Sequence, residues 1–353
     1  MNIQPAARKV IFALAPLVII LLLTELGLRI VYFSVAGNES LATVAAAKYL
    51  KREIMLVQAA QQIDEPNTQL IKEALYTEDG SALLDQLKQE YETNLLKLIE
   101  STRQIDSKLV IVYLPVYHDS SIISPLYPLR EFYRELADKY QLSFLDLTEH
   151  LANLPPEQIY LIPEDGHFSR YGNQLVAAYL HDYLLSLRNH YSAHHFNSRP
   201  ALFGDLQPNQ NTNWLYKPNL PYQVVSNSQG LRLTHNLQFP KTKQRILFLG
   251  DSYTFSPYLS NQDTHPDLLA KLYPEAEIVN AGIAGYTITD EASLFIERAK
   301  FMEPDITVLQ VSENDIVGLL SFNMNRFDRR RQVYLPTPAE QELLQKLQQR
   351  EHN

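Results

Sequence analysis

Ser252 is the residue of this chain best placed to attack a substrate. It ends Gly250-Asp251-Ser252, just beyond the apolar run Arg245-Ile-Leu-Phe-Leu249. A short apolar run closed by glycine reads as a buried parallel strand. Open α/β sheets bind ligands just outside the carboxyl ends of such strands. A serine hydroxyl is a weak nucleophile until a base takes its proton. Downstream, the histidines are His265, in a linker-like stretch, and His352 at the very end. The better base lies far upstream, in Glu164-Asp165-Gly166-His167. Asp165 stands two residues before His167 and Glu164 three, so either carboxylate could orient the imidazole.

Two further segments bring polar groups to strand ends. They are Asn280-Ala-Gly282-Ile-Ala-Gly285 and Glu313-Asn314-Asp315. In a parallel sheet they share an edge with Ser252. Acyl transfer needs donors for the oxyanion that forms. The N–H groups of Ser252 and Gly285 and the Asn314 amide fit that need, and Gly285 lacks a Cβ that would hold backbone off a substrate. Each residue also has a plainer reading. Gly285 could be a turn glycine, Asn314 a helix cap, and His167 a surface residue beside the helix that Ser169 begins. Asp251 and Asp315 read as loop-ordering. His118-Asp119 follows a strand and could line a pocket. His194-His195 reads as solvated, and the run Arg326, Arg329, Arg330, Arg331 as an exposed face that could meet an anionic surface.

Alternating elements must hold these groups in place. Leu109–Leu114, closed by Pro115, and Ser143–Asp146 read as strands, with an amphipathic helix over Pro125–Tyr140 between them. Ser169 caps a helix to about Leu187. From Arg245 the alternation runs strand 245–249, helix 266–273, strand 276–280, helix 289–301, strand 305–311. This is the pattern of a parallel α/β sheet. Helices are expected over 41–63, 81–103 and 336–349. Residues 190–243 lose periodicity and read as a long surface connection with a few short strands, its turns marked by Pro208-Asn209 and Pro218-Asn219.

The 353 residues carry 45% apolar and 20% charged side chains, as a globular protein does. A net charge of -9 argues against nucleic acid as a partner. The absence of cysteine removes disulfides, thiolate zinc sites and cysteine nucleophiles. Gly-x-Ser-x-Gly, phosphate loops, dinucleotide fingerprints and zinc motifs are absent, and no cofactor is implied. At the N-terminus Arg8-Lys9 precede Val10–Phe33, long enough to cross about 30 Å of hydrocarbon. The basic pair keeps Met1 in the cytoplasm and sends the bulk outside. Residues 1–36 are therefore expected to be a membrane anchor, with cleavage after Ala36 as the alternative.

The blocks around Ser252, Gly285 and Asn314-Asp315, with Asp165-Gly166-His167, resemble the SGNH (GDSL) hydrolase family. The resemblance covers roughly 108–187 and 245–320. It implies a three-layer flavodoxin-like α/β/α fold and acyl-ester chemistry. Ser252 is then the nucleophile, His167 the base and Asp165 its orienter, with Ser252, Gly285 and Asn314 as the oxyanion hole. The usual order puts serine first and histidine last, with the aspartate three residues before the histidine. Here the order is reversed and the spacing is two. Both departures resemble the alginate-type polysaccharide O-acetyltransferases, whose SGNH-like domain is circularly permuted.

The expected organisation is an anchor followed by one permuted domain over 37–353. Residues 37–190 form the usual C-terminal half, 191–244 the linker and 245–353 the usual N-terminal half. The expected activity is esterase or O-acetyltransferase outside the cytoplasm, periplasmic or at the cell surface. Its substrate would be an acyl ester or an acetyl-accepting polysaccharide, with a membrane protein as a candidate acetyl donor. The alternative is an inactive SGNH scaffold that binds glycan or serves in assembly.

Overall fold

The computed structural model describes residues 74–117, 127–214, 219–320, 327–328, 333–334 and 338–351. The expected anchor 1–36, the helix 41–63, His118-Asp119 and the arginines at 326 and 329–331 lie outside the described residues. Among the described residues, no helix is long and apolar enough to cross a membrane.

Helix α1 (Ser81–Gln104) leads into β1 (Lys108–Tyr113), α2 (Tyr127–Tyr140), β2 (Ser143–Asp146) and α3 (Arg170–Leu185). The connection carries the hairpin strands β3 (Asn211–Trp214) and β4 (Tyr222–Val225). Then follow β5 (Gln244–Leu249), α4 (Ser252–Phe255), α5 (His265–Leu272), β6 (Ala276–Asn280), α6 (Ile288–Glu297), β7 (Ile306–Val311) and α7 (Asn314–Val317). The pair β8 (Phe327–Asp328) and β9 (Val333–Tyr334) precedes the last helix, α8 (Pro338–Glu351).

Strands β1, β2, β5, β6 and β7 form one sheet in the order β2-β1-β7-β5-β6, every pairing parallel. Counted from β5 as first strand, this reads 2-1-3-4-5, the doubly wound order. Residues of β5 and β7 are buried throughout, because helices cover both faces.

The period-two alternation of a strand divides the core. Leu109, Ile111 and Tyr113 of β1, Leu247 and Leu249 of β5, and Leu309 and Val311 of β7 face one layer. That layer is closed by Leu83, Leu87, Tyr91 and Leu95 of α1, by Leu129 and Tyr133 of α2, and by Ile288, Ala292 and Phe295 of α6. The intervening residues Val110, Val112, Ile246, Phe248, Ile306 and Val308 face the other layer, closed by Val176, Ala177, Leu180 and Leu184 of α3 and Leu269 of α5. The architecture is α/β/α. Each large apolar side chain removed from water contributes about 1.5–3 kcal/mol.

Three expectations change. The connection 190–243 does not run over the surface throughout. Phe203, Leu231, Leu233 and Leu237 enter the first core, while Leu206, Tyr222 and Val224 pack on Phe255 in a small third cluster. Its backbone is held by side chains rather than by regular structure: Asn227 Oδ1 accepts from the amides of Gln229 and Leu231, each at 3.0 Å. His265 is not in a linker but opens α5, 1% exposed. The helix expected over 289–301 stops at Glu297, where Arg298 leaves helical geometry and its guanidinium reaches Gly204 O (2.7 Å) and Asp205.

Candidate active site

Strand β5 delivers Ser252 through a tight turn. Gly250 has φ +158°, and a Cβ there would lie 2.3 Å from Thr254 Oγ1 and 2.6 Å from Gln310 Oε1. Asp251 caps α4, its Oδ1 accepting from Tyr253 N at 2.8 Å. Ser252 therefore stands at the first helical position, beyond the carboxyl edge of the sheet.

His167 comes from the other half of the chain, in the turn before α3. Leu161 N donates to His167 O at 2.9 Å, Asp165 N to Leu161 O at 2.9 Å, and His167 N to Asp165 Oδ1 at 3.0 Å. Ser169 then caps α3 by accepting from Gly172 N. Two contacts join this turn to the Ser252 segment. The Tyr253 hydroxyl donates to Gly166 O at 3.2 Å. Buried Asn173 of α3 accepts, through Oδ1, from Ser256 Oγ (3.0 Å), His265 N (2.9 Å) and His265 Nδ1 (3.1 Å).

The result is a chain of hydrogen bonds. Asp165 Oδ1 meets His167 Nδ1, and His167 Nε2 lies 2.8 Å from Ser252 Oγ. With the Nδ1 proton directed at Asp165, Nε2 is the acceptor for the Ser252 hydroxyl. Asp165 rather than Glu164 lies on the imidazole; Glu164 is exposed. The His167 side chain remains 24% exposed, so a substrate can reach the pair. The rings of Tyr253 and Tyr258 lie beside it, with centroids at 5.0 and 6.1 Å.

The third block also arrives at this edge. Asn314 Nδ2 donates to Asp251 Oδ2 at 2.6 Å, while Asn314 Oδ1 accepts from Ser312 Oγ. The amide is thereby oriented, with one N–H on Asp251 and its oxygen on Ser312. The second block packs beneath the turn, Ile283 N donating to Gly250 O at 3.0 Å. Gly285 adopts φ +78°, a left-handed conformation that favours glycine, and no atom lies within 4 Å of where its Cβ would be. Its backbone thus borders open space.

The carboxylates behind the site are shielded from water. Burial pushes the Asp251 carboxyl above its ordinary value, with the Tyr253 amide and the Asn314 side chain acting against the shift. Burial raises Asp315 and Glu291 further, aided in Asp315 by the nearby Asp251 charge and in Glu291 by Asp315. Away from the site, His195 is not simply solvated: its Nδ1 meets buried Glu303 at 3.1 Å. Sequence reasoning missed Asn173, Tyr253 and Tyr258. Asn173 had a signal, being a polar residue on the helix face that carries Val176, Ala177 and Leu180. Tyr253 and Tyr258 had none beyond nearness to Ser252.

No family model matches this chain. No curated protein matches it either. Among solved structures it is similar to the O-acetyltransferase domain of Pseudomonas putida AlgJ, at 16% identity and a TM-score of 0.44, over 75% of this chain and 92% of that one. It is also similar to Pseudomonas aeruginosa AlgX, at 14% identity and a TM-score of 0.38, over 72% of this chain and 61% of that one. Likeness at this level assigns no activity.

Proposed function

We propose that this protein is an SGNH-type serine acyl-ester enzyme in which Ser252, His167 and Asp165 act as the triad. The observation that carries the reading is the 2.8 Å contact between His167 Nε2 and Ser252 Oγ, with Asp165 on the opposite ring nitrogen. Ser252 Oγ attacks the acyl carbonyl while its proton passes to His167 Nε2. The carbonyl oxygen becomes an oxyanion, held by the N–H groups of Ser252 and Gly285 and the second Asn314 N–H. Collapse breaks the ester bond, and His167 returns the proton to the departing alcohol oxygen. Water or a sugar hydroxyl then attacks the acyl-Ser252 carbonyl while His167 takes its proton, and collapse breaks the bond to Ser252 Oγ, to which His167 returns the proton. Asp165 fixes the imidazole tautomer and offsets the charge of the imidazolium.

The domain reads as a permuted one: the 2-1-3-4-5 strand order begins at β5, and the histidine-bearing half precedes it in the chain. That order, with Asp-x-His upstream of serine, resembles the alginate-type polysaccharide O-acetyltransferases. On that resemblance we extend the proposal to transfer onto an extracytoplasmic polysaccharide by a protein held at the membrane through residues 1–36. An ester assay on the full chain, with and without oligosaccharide acceptor, tests this. Acetylated sugar without matching free acetate selects the transferase. Equal inactivity of the wild type and Ser252→Ala toward activated acetyl esters, with and without acceptor, removes the enzyme reading.

A further inference from the structure

Arg232 is a buried cation, 1% exposed, on the connection between the two halves of the domain. Its backbone N–H donates to Asn280 O at 3.3 Å, at the end of β6. Its guanidinium reaches the segment that follows Ser252. Nη1 donates to Phe255 O and, at 3.2 Å, to Ser256 O; Nη2 donates to Leu259 O at 2.5 Å; Nε donates to Asn261 Oδ1 at 3.1 Å. The guanidinium carbon also lies 4.4 Å from the centre of the Phe255 ring.

The carbonyls it gathers bracket two residues in unusual backbone conformations. Ser256 has φ +54° and Tyr258 has φ +65°, with Pro257 between them. Left-handed geometry is uncommon for residues with a Cβ, above all bulky ones, and persists only where surroundings enforce it. The bend turns the Tyr258 ring toward His167, edge-to-face, with Tyr222 of β4 packed on it at 5.8 Å. A planar fork of donors can hold several carbonyls at once, which a lysine ammonium on its single point cannot reproduce.

We infer that Arg232 is a positioning residue for the candidate active site: it holds the Phe255–Leu259 segment in the bend that sets Tyr258 against the imidazole of His167. The functional consequence rests on the Ser252–His167 reading above, but the positioning itself does not. It also gives the connection a role beyond joining two halves, since it brings both Arg232 and Tyr222 to the catalytic edge. A merely structural Arg232 would tie the connection down without reference to Tyr258.

The test uses the full chain and the His167 Hε1 resonance, which senses the Tyr258 ring current whether or not the protein is an enzyme. Arg232→Lys should shift that resonance away from its wild-type position, in the direction produced by Tyr258→Ala. In the double variant the Arg232→Lys shift should disappear. Where Arg232→Lys fails to fold, Asn261→Ala, which removes the acceptor of Nε, takes its place with the same expected shift. A resonance that Tyr258→Ala moves and that Arg232→Lys or Asn261→Ala leaves at the wild-type position overturns the inference. So do shifts that simply add in the double variant. Ser252 acylation rates give a second readout. A loss on Arg232→Lys that vanishes in the Tyr258→Ala background supports positioning, and losses that multiply overturn it. A wild type that is not acylated sinks the enzyme reading, while the resonance still decides the role of Arg232.

Discussion

Asn173 Oδ1 accepts the Ser256 hydroxyl at 3.0 Å, so the helix that follows His167 is fastened to the residue that ends the helix of Ser252. The same oxygen accepts two bonds from His265. One buried carboxamide therefore sets the relation between two halves of the chain, each of which contributes part of the site.

Replacing Asn173 by alanine should lower stability by about 3 kcal/mol, because the backbone N–H and Nδ1 of His265 lose their acceptor in a buried setting, while the Ser256 hydroxyl keeps only Tyr253 O. It should also slow any Ser252 chemistry beyond what the stability loss explains. Urea unfolding checks the first part. A change within about 0.5 kcal/mol, usual for a surface substitution, would contradict it.

Gly250→Ala tests the turn. The new methyl would collide with Thr254 Oγ1 and Gln310 Oε1 at φ +158°. Overpacking of this kind typically costs about 1–3 kcal/mol. The melting temperature should fall, and Ser252 should lose reactivity because its backbone follows directly. A variant with wild-type melting and reactivity would show that the turn does not depend on glycine.

Acid sensitivity should follow from His265. Burial lowers its pKa from 6.5 to about 3, so the folded protein keeps the ring neutral while the unfolded chain protonates it. The associated stability is fully present above about pH 6.5 and is lost as pH falls toward 3, by up to several kcal/mol. Asp267 has the opposite sign: burial raises its carboxyl to about 6, against the pull of Arg232 and Lys271. As pH falls from about 6 to 4 it returns part of the loss. The buried carboxyls of Asp251, Asp315 and Glu291, also raised, act in the same direction as Asp267, so His265 is read as a difference. Denaturant unfolding between pH 7 and 4 should show wild type losing stability relative to His265→Gln as pH falls. The same pH dependence in both would remove His265 as a source of acid sensitivity.

The orienting carboxylate can be assigned by mutation. Asp165→Asn should cut turnover by about a thousandfold or more by favouring the wrong imidazole tautomer. Glu164→Gln should leave it near wild type. Asn314→Ala should cost about 10²–10³ in kcat if the amide donates to the oxyanion. Steady-state kinetics on an activated acetyl ester decide each case, and a large loss confined to Glu164→Gln would reverse the assignment.

Much of the sheet was legible because buried parallel strands leave short apolar runs: Arg245–Leu249, Ala276–Asn280 and Asp305–Val311 mark β5, β6 and β7 to within a residue. The Gly250-Asp251-Ser252 turn was legible because its glycine admits close packing and its aspartate caps the helix that Ser252 begins. The connection was not legible. Its buried residues Phe203, Leu231 and Leu237 follow no period, since side-chain hydrogen bonds rather than a helix or strand hold its backbone. Arg232 was hidden for the same reason, and also because its partners are carbonyl oxygens, which carry no sequence signature. His265 looked like a loop residue because the acceptor that makes its burial tolerable, Asn173, is distant in sequence.

Acylation of Ser252 with His167 as its base is the direct test of the proposed triad. Full-length wild type, His167→Ala and Ser252→Ala can be mixed with an activated acetyl ester, quenched during the first turnover, digested and weighed by mass spectrometry. The predicted result is one acetyl group on the peptide bearing Ser252 in the wild type and none on that peptide in either variant. An unmodified Ser252 in the wild type, or equal acetylation of Ser252 in His167→Ala, would contradict it.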